Sequence, residues 1–140
     1  MVDSKKEAIL KAWLDMIIAI DSQRVTSMLP FNEAVVCNYL KNHQDEEITA
    51  TDLCKMMKMQ KSLMNRTLNS LEEKEIIKRA RSNNDKRKII VILCDENNIY
   101  HAQHQLVLDY VEAIVNNLEG LEDSIIPIFE SVTKATNSIK

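Results

Sequence analysis

At 140 residues, with 45% apolar and 28% charged side chains and a net charge of −3, the chain has the make-up of one soluble domain or one subunit of a dimer. No apolar run is long enough to cross a bilayer, and the N-terminus has no cleavage-site pattern, so a membrane span and a signal peptide are not expected. One glycine, two prolines and three widely spaced cysteines without a CxxC pair favour long helices, few loops and a reducing cytoplasm.

Residues 4–22 read as a helix, because Ile9, Leu10, Trp13, Leu14, Ile17, Ile18 and Ile20 recur at three- and four-residue steps. Met16 widens that stripe beyond what one small core needs, which points to a subunit interface. Pro30 opens a second helix over 31–42, with Val35, Val36, Tyr39 and Leu40 expected inward. The polar run His43 to Glu47 is a loop. Thr49 has the chemistry of an N-cap, and Asp52 completes a variant capping box. The third helix then covers 50–57, with Leu53, Met56 and Met57 inward. Lys58-Met59-Gln60 turns the chain into a fourth helix over 61–74, buried through Leu63, Thr67, Leu68 and Leu71. Lys61, Ser62, Asn65, Arg66 and Asn69 fall on its opposite face.

Glu75 to Arg79 begins a strand and Lys88 to Leu93 forms a second, with Ser82-Asn83-Asn84-Asp85 turning between them. The result is a hairpin with a basic tip, a wing. Asp95 is expected to cap a long helix reaching Leu118, about 36 Å at a rise of about 1.5 Å per residue. Leu106, Val107, Tyr110, Val111, Ile114 and Leu118 mark its stripe, and Glu119-Gly120 ends it. A last helix covers 124–139, with Pro127 in its first turn, where a missing N–H breaks no helical bond.

Charge separates one stretch from the rest. From Lys55 to Lys88 there are eleven basic and four acidic side chains, a net of +7, so the remainder carries −10. A basic island on an acidic protein is a footprint for phosphate. Here it sits on a helix-turn-helix and a hairpin tip, and a helix face of Lys, Ser, Asn and Arg can read base edges. No nucleophile elbow, P-loop or glycine-rich phosphate loop gives enzymatic chemistry a foothold.

The stretch Leu71-Glu72-Glu73-Lys74-Glu75-Ile76-Ile77-Lys78-Arg79 resembles the end of the recognition helix and first wing strand of the MarR family of bacterial transcription regulators. Asn84-Asp85-Lys86-Arg87-Lys88 resembles the family's Asp-x-Arg wing motif, and Val91 to Glu96 its strand leading into a long helix. The likeness covers nearly the whole chain. It implies a mostly α fold with a small β wing, one subunit over 1–140. Residues 30–94 would form a winged helix-turn-helix lobe, and 1–29 with 95–140 a dimerisation lobe built from the first, fifth and sixth helices. It implies a homodimer on palindromic operators in double-stranded DNA, usually a repressor, with many members answering to small aromatic acids. Lys61, Ser62, Asn65, Arg66 and Asn69 are then the expected base and phosphate readers. Arg87 would enter the minor groove, oriented by Asp85, while Arg81, Lys86 and Lys88 would hold phosphates. No cofactor or metal is expected. Three residues depart from the family pattern. Glu75 replaces a usual Gly and Cys94 a usual Thr, at about 1 kcal/mol each in turn geometry and capping. Gln60 replaces a Ser or Asp helix cap.

Other readings compete for particular residues. His101 and His104, three apart on the long helix, have chelating spacing, but two histidines do not make a site and a polar face explains them. Cys37 and Cys54 lie along apolar stripes and read as structural. Cys94, between the wing and a helix start, has the best electrostatics for a redox-sensing regulator. Met56, Met57, Met59 and Met64 read as core. A winged-helix interaction module without DNA readout is the rival from a different class. It predicts no salt-sensitive DNA affinity.

Overall fold

The computed structural model describes residues 1–23, 29–94 and 98–139. The elements are α1 (Asp3–Ser22), α2 (Phe31–Asn42), α3 (Ala50–Met57), α4 (Lys61–Glu73), β1 (Ile77–Arg81), β2 (Ile89–Leu93), α5 (Asn98–Asn116), a 3₁₀ turn (Glu122–Ser124) and α6 (Ile125–Asn137). The chain divides into two compact units, Met1–Gln103 and His104–Lys140.

In the first unit α2, α3, α4 and the wing share one core. Leu53, Leu68 and Leu71 are fully buried in it, each worth about 1.5–3 kcal/mol of transfer free energy. Thr49 caps α3 as expected. Its hydroxyl accepts the Asp52 N–H at 3.2 Å, and the Asp52 carboxylate accepts the Thr49 N–H at 2.9 Å. That backbone bond holds the Asp52 carboxyl below its usual range. At the other end of α3, Lys58 takes the left-handed conformation (φ 54°), and the Lys58 and Met59 N–H groups both reach the Cys54 carbonyl.

The end of α4 is a Schellman turn. Ile76 N–H donates to Leu71 C=O and Glu75 N–H to Glu72 C=O, both at 3.0 Å. Leu71 and Ile76 are both buried, which supplies the apolar contact this motif favours. The turn demands a left-handed residue, and Glu75 occupies that place at φ 61°.

The strands pair antiparallel, from Ile77 opposite Leu93 to Arg81 opposite Ile89. Two short strands alone are marginal. A third segment supports them: Thr49 bridges Ile90, and Val91 N–H donates to Ile48 C=O at 2.7 Å.

Several expectations shift. The inward line of α2 is Glu33, Val36, Cys37 and Leu40, while Val35 and Tyr39 are half-buried. On α4 Met64 joins Thr67, Leu68 and Leu71 as buried, in place of Leu63, which is exposed, and the helix ends at Glu73. β1 begins at Ile77, two residues later than read, because the Schellman turn consumes Lys74 to Ile76, and β2 begins at Ile89, one residue later than read, opposite Arg81. Asp95 lies outside the described residues. α5 ends at Asn116, short of Leu118, and Gly120 (φ 81°) follows within the connection. Pro127 does fall in the first turn of α6.

α1 buries no residue, and its whole apolar stripe from Ile9 to Ile20 is exposed. In the second unit α6 likewise buries none, and Ile126, Ile128, Phe129 and Val132 are exposed. Among the described residues no helix is long and apolar enough to cross a membrane.

Candidate nucleic-acid interface

The site is assembled from α4 and the wing. Leu53, Met64, Leu68 and Leu71 turn one side of the helix-turn-helix into the core, so the polar residues of α4 are left outside. Lys61, Ser62, Arg66 and Asn69 are exposed and Asn65 is half-buried. Gln60 sits at the N-cap of α4 without a side-chain capping bond. The first-turn N–H groups of α4 therefore lack that cap.

Asn69 has a structural partner. Its Oδ1 accepts Arg79 Nη2 at 2.7 Å, tying α4 to β1. The two N–H donors of the Asn69 amide remain for a second contact.

On the wing, Arg81, Lys86, Arg87 and Lys88 are exposed. Arg81 Nη1 donates to the Lys86 carbonyl at 2.9 Å, bracing the loop from inside. Asp85 accepts three bonds from Arg87: backbone N–H at 3.1 Å, Nε at 3.2 Å and Nη2 at 3.5 Å. The Arg87 side chain is 92% exposed, so Asp85 pairs one edge of the guanidinium, through Nε and Nη2, while the rest of the group faces solvent. The guanidinium bond, then the backbone bond, holds the Asp85 carboxyl below its usual range.

Two anchoring links were not visible in sequence patterns. Glu33, buried on α2, accepts Lys74 Nζ at 2.6 Å and Ser70 Oγ at 3.2 Å, fastening the C-terminal end of α4. Ser82 is buried in the wing, and its hydroxyl donates to the Glu47 carboxylate. Neither link has a sequence signal, because the partners lie 35 to 41 residues apart. Cys37 lies in the core beside this α2 line. Burial, reinforced by Glu33 and opposed by Lys74, pushes its thiol up to about 12. It is a neutral packing group at physiological pH. Among the described residues no three His, Cys, Asp or Glu side chains gather as a metal site.

Residues 22–103 match the family model of the transcriptional regulator SarA/Rot. The chain belongs to the SarA/Rot family of transcriptional regulators. The match spans α2, α3, α4 and the wing, so the geometry above is the part of this SarA/Rot regulator that the family shares. The family consists of regulators rather than enzymes. Solved structures give the fold. YusO from Bacillus subtilis is 21% identical at TM-score 0.63, with 99% of each chain covered. BldR from Sulfolobus solfataricus is 16% identical at TM-score 0.68, over 99% of this chain and 100% of that one. A variant of MepR from Staphylococcus aureus bound to an oligodeoxyribonucleotide is 17% identical at TM-score 0.63, over 100% and 99%. Among the described residues the six helices and two-stranded wing therefore have the winged-helix fold of these solved structures, as the wing motif implied. No curated protein sequence is a match.

Proposed function

We propose that this SarA/Rot regulator is a homodimeric repressor in the cytoplasm that binds palindromic operators in double-stranded DNA. α4 enters the major groove with Lys61, Ser62, Asn65 and Arg66, and Asn69 offers its amide N–H groups. The wing lays Arg87 into the minor groove, with Lys86, Lys88 and Arg81 toward phosphate. Two recognition helices would stand about 34–36 Å apart, one turn of the duplex. The lobe spans 30–94, and 1–29 with 95–140 supply the dimer contacts.

The observation that carries this reading is the Arg87 clamp. An almost fully exposed guanidinium, held along one edge by the Asp85 carboxylate, lies in the same compact unit as the polar face of α4. The MepR structure with an oligodeoxyribonucleotide supports a DNA partner for the fold. Trp13, Ile18, Ile126 and Phe129 are each more than half exposed, which supports a second copy covering α1 and α6. A cavity of about 230 Å³ beside the end of α2 and β2, lined by Leu40, Ile48 and Val91 together with His43, Gln44 and Glu46, is where a small ligand that releases DNA would sit.

The experiment is selection of bound duplexes from genomic DNA, followed by titration of the selected site. Arg87→Ala should lower affinity broadly with the fold intact. Asn65→Ala should instead relax preference at defined positions, by roughly 1–3 kcal/mol of discrimination. Log affinity should fall steeply with log salt, and sedimentation should give a dimer at micromolar concentration. A flat salt response, or a folded monomer at that concentration, would refute the proposal and favour the interaction-module reading.

A further inference from the structure

The tip of the wing is held from outside the hairpin. The Ser82 hydroxyl lies 2.7 and 2.9 Å from the two Glu47 carboxylate oxygens. A hydroxyl has one proton, so this is one bond shared between them. The same oxygen of Ser82 accepts the Asn84 N–H at 3.0 Å and the Asp85 N–H at 3.1 Å. Asn84 Nδ2 reaches the Glu47 carboxylate at 3.4 Å. Glu47 directly precedes Ile48, whose carbonyl accepts the Val91 N–H. One short segment therefore grips the hairpin twice, by backbone at mid-strand and by carboxylate at the tip. The chain of bonds continues, since Asp85 is the residue that clamps Arg87.

We infer that Glu47 is a positioning residue for DNA binding: through Ser82 and Asp85 it sets the direction in which the wing presents Arg87. The inference rests on the reading of the wing as a DNA contact. Simple electrostatics has the opposite sign. Glu47 is exposed and acidic, next to Asp45 and Glu46 on a lobe that is net basic, so deleting its charge should strengthen attraction to phosphate. Positioning says that deleting it weakens binding, because a wing free to splay must be ordered when DNA arrives.

The test uses the full chain and a duplex selected from a random library by the wild-type protein. Glu47→Ala, Glu47→Gln, Arg87→Ala and the Glu47→Ala/Arg87→Ala pair are titrated, with circular dichroism and melting of each. Glu47→Ala should weaken binding roughly fivefold, a coupling typical of residues in one hydrogen-bonded network. Glu47→Gln, whose amide oxygen still accepts from Ser82, should stay within roughly twofold of wild type. In the Arg87→Ala background, Glu47→Ala should change affinity by less than roughly twofold, since the two act on one contact. Hydrogen exchange at the Asn84 and Asp85 amides should quicken in Glu47→Ala. Tighter or unchanged binding by Glu47→Ala overturns the positioning role, as does an equal loss in both backgrounds. Arg87→Ala with wild-type affinity removes the wing contact itself, and shows that the underlying reading failed rather than the latch.

Discussion

Glu75 offers a measurement of how much the end of α4 costs. The Schellman turn there requires φ near +60°, and Glu75 sits at φ 61°. A side chain in that conformation brings Cβ toward the following carbonyl at about 1–2 kcal/mol. Glycine avoids the clash but loses more backbone freedom on folding, about 0.5–1 kcal/mol. Glu75→Gly should therefore be more stable than Glu75→Ala by about 1 kcal/mol, once the wider freedom of the unfolded glycine chain is included. Alanine is the proper reference, because both substitutions delete the same carboxylate and only one keeps the Cβ. At about 2.1 cal/mol/K of unfolding entropy per residue, 1 kcal/mol in a chain this size moves Tm by about 3 °C. Melts at equal, fixed protein concentration would read it, since any subunit association makes Tm concentration-dependent. Equal melting of the two variants, or a more stable alanine, would refute the claim that this turn is strained.

Two more outcomes follow from titratable groups. Asp52 ionises more readily in the folded chain than at its ordinary 3.8. Its capping contribution is thus complete above the unfolded value and lost as the pH falls through the folded one. Asp52→Asn should be less stable than wild type at neutral pH and converge with it in acid. A gap that does not narrow there would remove the ionised cap. Cys37, with its thiol near 12 and almost no exposure, should react with a disulfide reagent at pH 8 only as fast as the fold opens. Modification at the rate of a surface thiol, without added denaturant, would contradict its placement.

What the sequence disclosed was mainly local. The Thr49–Asp52 box and the Lys58 to Gln60 turn each join residues within three positions and are where spacing put them, and the Asp85–Arg87 pair is where the wing-motif resemblance put it. The misplacements have a common physical origin. Leu63 and Met64 are both apolar and adjacent, so periodicity alone could not choose between them; the approach of α2 and α3 decides for Met64. Glu33 has no local partner to signal its burial, since Ser70 and Lys74 meet it from another helix. Glu47 lay in a run of acids that reads as loop, and its partner is 35 residues away. Local chemistry writes itself into spacing, whereas a contact between elements depends on where packing brings them.

The third segment beneath the wing bears on the timing of recognition. With Val91 held to Ile48 and Ser82 held to Glu47, the hairpin reaches any partner already ordered. Its loss of chain entropy is charged to folding, not to the encounter. A loose hairpin would make association wait for a productive shape. A braced one leaves arrival near the diffusional, charge-steered limit, so sequence preference is expressed mainly in how long the complex survives.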